Sequence, residues 1–176
     1  MIQGLEVALR NAVHNVMTSG IDSPDWYDKI QIEESERDAI DEAKKKISDK
    51  HLQITPGRVV AELTFGFWVK LLAWPYEKQL WVKFLYRAFP SKMKRKTLHG
   101  RLVNLKTLRN RIAHHERIIG KRNLPDDYRD LLEAIGWIDS TVSRWVQSTN
   151  CFEMRYAKRL KAGKATAIIL CNHPKS

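Results

Sequence analysis

Apolar residues recur at three- and four-residue spacing along most of this chain, and no segment shows the sustained alternation of a strand. The clearest case is Leu131, Ile135, Ile138, Val142 and Trp145, spaced four, three, four and three, which predicts one helix from about residue 125 with a continuous packing seam. Leu5, Ala8, Ala12, Val13 and Val16 predict a helix over 2–18, ending near Ser19-Gly20. A second, over 34–47, leads with Glu and Asp and trails with Lys44, Lys45 and Lys46, as a helix dipole favours, and reads as mostly solvated. Thr55-Pro56 caps a third, whose stripe Val59, Val60, Leu63, Phe67 and Leu71 reaches about residue 73 before Trp74-Pro75 breaks it. Leu80, Trp81, Phe84, Leu85 and Ala88 predict a helix over 76–89, stopped by Pro90. Leu98, Leu102, Leu105, Leu108 and Ile112 predict the fifth, over 94–118. Six helices without strands make an all-α bundle.

A chain of 176 residues with 43% apolar content and six Trp can bury one core without metals or disulfides. The reading is one helical domain over 1–150 with a basic extension over 151–176, packed on the same domain, whose apolar patch at 165–170 has no assigned form. Cys151 and Cys171 fit no CxxC spacing, which argues against zinc ribbons and disulfide scaffolds and for reduced thiols in a cytosol. No basic-then-apolar leader opens the sequence, and no run is long enough to span a membrane.

The net charge of +11 is unevenly placed. Residues 1–50 are net acidic, whereas between Lys78 and Arg122 fourteen Lys or Arg residues face one acid, Glu116. Such a stretch attracts phosphate backbones, although a solubilising surface explains the charge alone equally well. Within it, Lys92, Lys94, Arg95, Lys96 and Arg101 are candidates for tracking an RNA backbone, with Arg111 beside them, and a solvated face is the competing reading. Trp68, Trp74, Trp81 and Tyr86 could stack on bases, but at helical spacing such residues more often pack a core, and Trp68 and Trp81 are assigned there.

Neither the dinucleotide loop GxGxxG, the phosphate loop GxxxxGK[ST] nor the nucleophile elbow GxSxG occurs. His115-Glu116 begins like HExxH, but residue 119 is Ile, and the adjacent His114 and His115 diverge on a helix, a poor zinc pair. What remains is Arg109-Asn110-Arg111-Ile112-Ala113-His114-His115-Glu116. Asn110 and His114, four apart, share a helix face, and Arg109 reaches the same point more easily if the helix bends or ends there. Arg109 also projects near the Leu105 and Ile112 stripe, where a charge needs a partner or a ligand. RNA cleavage by its own 2′-hydroxyl requires one proton removed, one donated and charge stabilised at phosphorus, tasks for imidazole and guanidinium without metal or cofactor. One histidine cannot conveniently move both protons, and two copies across a two-fold axis would supply the pair. Against this stands a structural reading, in which Arg109 pairs with Glu116, His115 packs beside the stripe and His114 is merely exposed.

Arg109-Asn110, three residues, then His114 resembles the R-N-x-x-x-H form of the Rx4–6H motif of the HEPN superfamily. The similarity extends to its Abi-like (AbiD/AbiF-type) abortive-infection branch through Leu5-Glu-Val-Ala-Leu-Arg-Asn11, Trp26-Tyr27, Ala61-Glu-Leu-Thr-Phe-Gly-Phe-Trp68, Leu80-Trp81, Phe89-Pro90 and Leu108-Arg-Asn-Arg-Ile-Ala-His-His-Glu116. The resemblance implies a HEPN-like bundle and a homodimeric, cytoplasmic bacterial toxin that cleaves RNA to 2′,3′-cyclic phosphates without cofactor. It also implies an antitoxin, protein or RNA. Arg109, Asn110 and His114 match the catalytic motif, with His115 a second candidate. Glu6 and Arg10 match a supporting polar pair, though an ordinary i,i+4 ion pair fits them as well. Arg10-Asn11-Ala-Val-His14 mimics the motif one residue short and reads as coincidence. The Tyr of the Rx4YxH version is absent, so control through its modification is not implied. The alternative is a non-catalytic RNA-binding HEPN module within a defence complex.

Overall fold

The structure, a computed structural model, describes residues 1–90, 92–116, 118 and 123–162. Among them are eight α-helices and no strand: α1 (Ile2–Ile21), α2 (Glu34–Asp49), α3 (Pro56–Glu62), α4 (Phe65–Lys70), α5 (Arg95–Ala113), α6 (Leu124–Ile138), α7 (Ser140–Thr149) and α8 (Phe152–Ala162). The protein is an all-α bundle. One core joins α1 to α7, and among the described residues no helix is long and apolar enough to cross a membrane. The 165–170 patch and Cys171 lie outside the described residues.

Helix α1 runs through the centre, burying Leu5, Leu9, Val13 and Met17 at four-residue intervals against α4 and α6. Its end comes so close to the 85–88 turn that a Cβ on Gly20 would lie 2.9 Å from Phe84 Cε1. Helix α2 is less solvated than its composition suggests, because Glu36, Ile40, Ala43 and Ile47 form a buried stripe. Glu36 accepts hydrogen bonds from Tyr76 Oη and, at 2.9 Å, Ser35 Oγ, and pairs with Lys70 at 3.0 Å. Burial pushes its carboxyl upward, but these partners outweigh burial and leave it below the ordinary carboxylate value.

Three expected helices are interrupted where packing overrides periodicity. The 56–73 helix breaks at Leu63-Thr64, since Leu63 and Phe65 are both buried, and residues two apart on a continuous helix would point about 200° apart. The 76–89 helix is instead a 3₁₀ turn at Trp74–Tyr76, a π turn at Glu77–Trp81 and a 3₁₀ turn at Leu85–Ala88. The wide π turn lets Leu80 and Trp81 both face inward, with Trp81 stacked on Phe89 at 5.7 Å, while Tyr76 is tied to Glu36. The long helix from residue 125 is cut at Asp139, whose side chain accepts from the backbone N–H groups of Thr141 (2.8 Å) and Val142 (3.1 Å) and starts α7. The cut shifts the stripe by one residue, so Val146 is buried and Trp145 is 51% exposed.

Helices α1, α2 and α5 each end with a residue in the left-handed region: Asp22 (φ 53°), His51 (φ 54°) and His115 (φ 55°). In α2, Leu52 N–H donates to Ile47 O (3.1 Å) and His51 N–H to Ser48 O (2.8 Å), a Schellman closure usually built on glycine. His51 is exposed, so His51→Gly is expected to stabilise the protein by up to about 1 kcal/mol, raising the thermal midpoint by about 2–4 °C. Unchanged or lower stability would contradict the left-handed assignment.

Candidate active site

Helix α5 reaches the motif with Leu98, Leu102, Leu105 and Leu108 facing inward, and then stops five residues short of the expected end. His114 N–H still donates to Asn110 O (2.9 Å), so the last turn runs through His114 and keeps the Asn110–His114 relation. His115 N–H donates to Ile112 O (3.1 Å) and Glu116 N–H to Arg111 O (2.9 Å), which closes the helix with His115 in the left-handed position. Asn110, His114 and His115 are all exposed. The expected packing of His115 beside the apolar stripe is therefore not observed.

Arg109 crosses to α1, where its Nε lies 3.5 Å from Glu6 Oε2. This tertiary pair replaces both local ones expected from spacing, Glu6 with Arg10 and Arg109 with Glu116. Glu116 instead receives Arg111 Nε at 3.0 Å, and Arg10 Nε donates to Asn11 Oδ1 at 3.3 Å. Neither Arg109 nor Glu6 is deeply buried, so the pair contributes under about 1 kcal/mol to stability and serves mainly to orient the guanidinium.

Glu6, Arg10 and Arg109 line an open cleft of about 360 Å³ between α1, the end of α3 and the last turn of α5. Gln3 joins them on the polar side, while Val7, Leu63 and Ile112 form an apolar wall. Ala113 also lines it, whereas Asn110, His114 and His115 are not among its lining residues. Two guanidiniums and an amide, set against the single Glu6 carboxylate, surround a space of a size that can hold a phosphate. Gln3 escaped the sequence reading, yet Gln3, Glu6 and Arg10 at spacing three and four form one polar face of α1, a signal that was there to use.

The basic candidates divide. Arg95 donates to Leu72 O (2.9 Å) and pairs with Glu77 (3.3 Å). Arg101 clamps α6 through Asp130 (2.6 Å) and Glu133 (2.7 Å), its guanidinium 5.4 Å from the Trp137 ring centre. These two arginines hold the fold together, and Lys92, Lys94 and Lys96 are exposed. The motif mimic in α1 has a structural role: His14 Nδ1 accepts from Trp26 Nε1 at 3.0 Å, and burial, then Arg10, hold the imidazole below its ordinary pKa. Trp68 and Trp81 are core as expected, whereas Trp74 and Tyr86 are exposed. Comparison with protein-family models, curated proteins and solved structures finds no match to this chain.

Proposed function

We propose that this chain is a metal-independent endoribonuclease, a HEPN-like, Abi-like toxin effector of bacterial antiphage defence acting as a cytoplasmic homodimer. The observation that carries the reading is Arg109, oriented by Glu6 into a cleft it shares with Arg10, with the exposed His114 one turn from Asn110. In the proposed reaction a histidine takes the proton of a 2′-hydroxyl, the 2′-oxygen attacks phosphorus, and the 5′-oxygen leaves with a proton from a second histidine. The products are a 2′,3′-cyclic phosphate and a 5′-hydroxyl. Arg109 stabilises the charge that builds at phosphorus, and Asn110 orients the phosphate or the imidazole. The two histidines are His114 from each of two protomers, which makes the dimer the working unit. Lys92, Lys94 and Lys96 draw in the RNA backbone, and an antitoxin, protein or RNA, would restrain the activity.

One observation favours a second reading, a non-catalytic RNA-binding module: the Arg109 guanidinium already has a carboxylate partner in Glu6. Substrate chemistry separates the two. In EDTA, the wild type is expected to cleave RNA and leave the same sequence intact when every 2′-hydroxyl is methylated. Equal cleavage of both would exclude the 2′-hydroxyl mechanism, and binding of both without cleavage would favour the module.

A further inference from the structure

Although residues 74–89 form no single helix, their burial repeats with a period of about four. Tyr76, Leu80, Trp81, Leu85 and Phe89 are buried, whereas Trp74, Lys78, Val82, Lys83, Tyr86 and Arg87 are exposed. The outward positions therefore interleave with the core-facing ones along the segment, a stripe of large apolar side chains and cations in sequence order. Trp74 is 76% exposed, Val82 61% and Tyr86 46%, and these large apolar groups alternate with Lys78, Lys83 and Arg87. Within residues 74–96 the one acid, Glu77, is paired with Arg95 at 3.3 Å, so it leaves the positive charge of the stripe in place.

We infer that this stripe binds single-stranded RNA, with bases stacking on Trp74 and Tyr86 and phosphates held by Lys78, Lys83 and Arg87. Aromatic faces accept any base, and their alternation with cations matches the alternation of base and phosphate along an unpaired strand. A duplex hides its base faces and offers nothing to Trp74. Arg87 already lies over the Tyr86 ring, 5.5 Å from its centre, and its Nε donates to Tyr86 Oη at 3.3 Å, so one aromatic and one cation are held together before RNA arrives. The stripe belongs to a different element from Arg109 and His114, and it supplies affinity, not chemistry. It shares with the endoribonuclease reading only the choice of RNA as ligand.

The test uses the full chain carrying His114→Ala, so that RNA stays intact, and a labelled single-stranded oligoribonucleotide titrated at several salt concentrations. Trp74→Ala and Tyr86→Ala are each expected to weaken binding about tenfold with the salt slope unchanged, and Trp74→Phe to recover most of the loss. Lys78→Gln with Lys83→Gln is expected to reduce the slope by about 1.4. Both aromatics are exposed, and circular dichroism checks that the variants remain folded. RNA affinity within twofold of the parent in the Trp74→Ala, Tyr86→Ala double variant overturns the inference. So does retained RNA affinity with lost binding to anionic lipid vesicles, which would make the stripe a membrane surface. Wild-type cleavage with no effect of the double variant on affinity would fail this inference alone. Lost affinity in the double variant with no cleavage by the wild type would fail the endoribonuclease reading alone.

Discussion

Replacing His114 by Ala is expected to lower RNA cleavage at least about 10³-fold while leaving the thermal midpoint unchanged. A general acid or base contributes about 10²–10⁴ in rate, and in a dimer the substitution removes both proton-transfer groups at once. The side chain is exposed at the end of α5, so its loss opens no cavity. Arg109→Ala is expected to cost about 10²–10³ by removing charge stabilisation at phosphorus, with Arg109→Lys in between because an ammonium lacks the planar fork. His115, the second histidine candidate of the motif, provides the comparison. Its left-handed backbone suits glycine, so His115→Gly keeps the helix end and is expected to retain cleavage. Equal loss of activity in the His114→Ala and His115→Gly variants would remove the assignment of His114 as the proton-transfer group. Single-turnover rates with circular dichroism of each variant make the comparison.

The largest stability effect is expected at Trp26. Its ring is fully buried, 5.8 Å from Tyr27 and 6.3 Å from Trp68 between ring centres, and its Nε1 donates to His14 Nδ1 at 3.0 Å. Trp26→Ala empties that space and leaves the partly buried His14 without its donor, a loss of about 3–5 kcal/mol. Against a total stability of about 5–15 kcal/mol, this approaches unfolding at physiological temperature. Trp26→Phe keeps most of the packing and loses the hydrogen bond and part of the ring volume, so its cost is expected to be smaller than that of Trp26→Ala. Denaturant midpoints measure both. An effect under 1 kcal/mol for Trp26→Ala would contradict its placement at the centre of the core.

Helix existence was legible in the sequence because apolar spacing is a local property: the stripes of α1 and α5 stand where Leu5 and Leu9, and Leu98 to Leu108, place them. The breaks were not legible. Nothing local at Leu63-Thr64 or Asp139 forbids a helix, and each interruption exists because two residues on different faces of an ideal helix both find the core, or because a side chain caps the next helix. The π turn at Glu77–Trp81 arises in the same way, from the simultaneous burial of Leu80 and Trp81. At the candidate site, local reasoning placed the motif on α5 and required a partner for Arg109. It could not supply the partner, since Glu6 lies more than a hundred residues away and reaches Arg109 only through the packing of the bundle. The same limit applies to Arg95 and Arg101, which are part of a basic run in sequence and are joined to acids in space.

Cleavage of end-labelled RNA in EDTA by purified wild type and His114→Ala, side by side, with product ends identified, decides whether His114 carries a metal-independent cleavage. The wild type alone is expected to cleave, leaving 2′,3′-cyclic phosphate and 5′-hydroxyl ends. Cleavage by both proteins at equal rates, or no cleavage by a folded wild type that binds RNA, would contradict that role for His114.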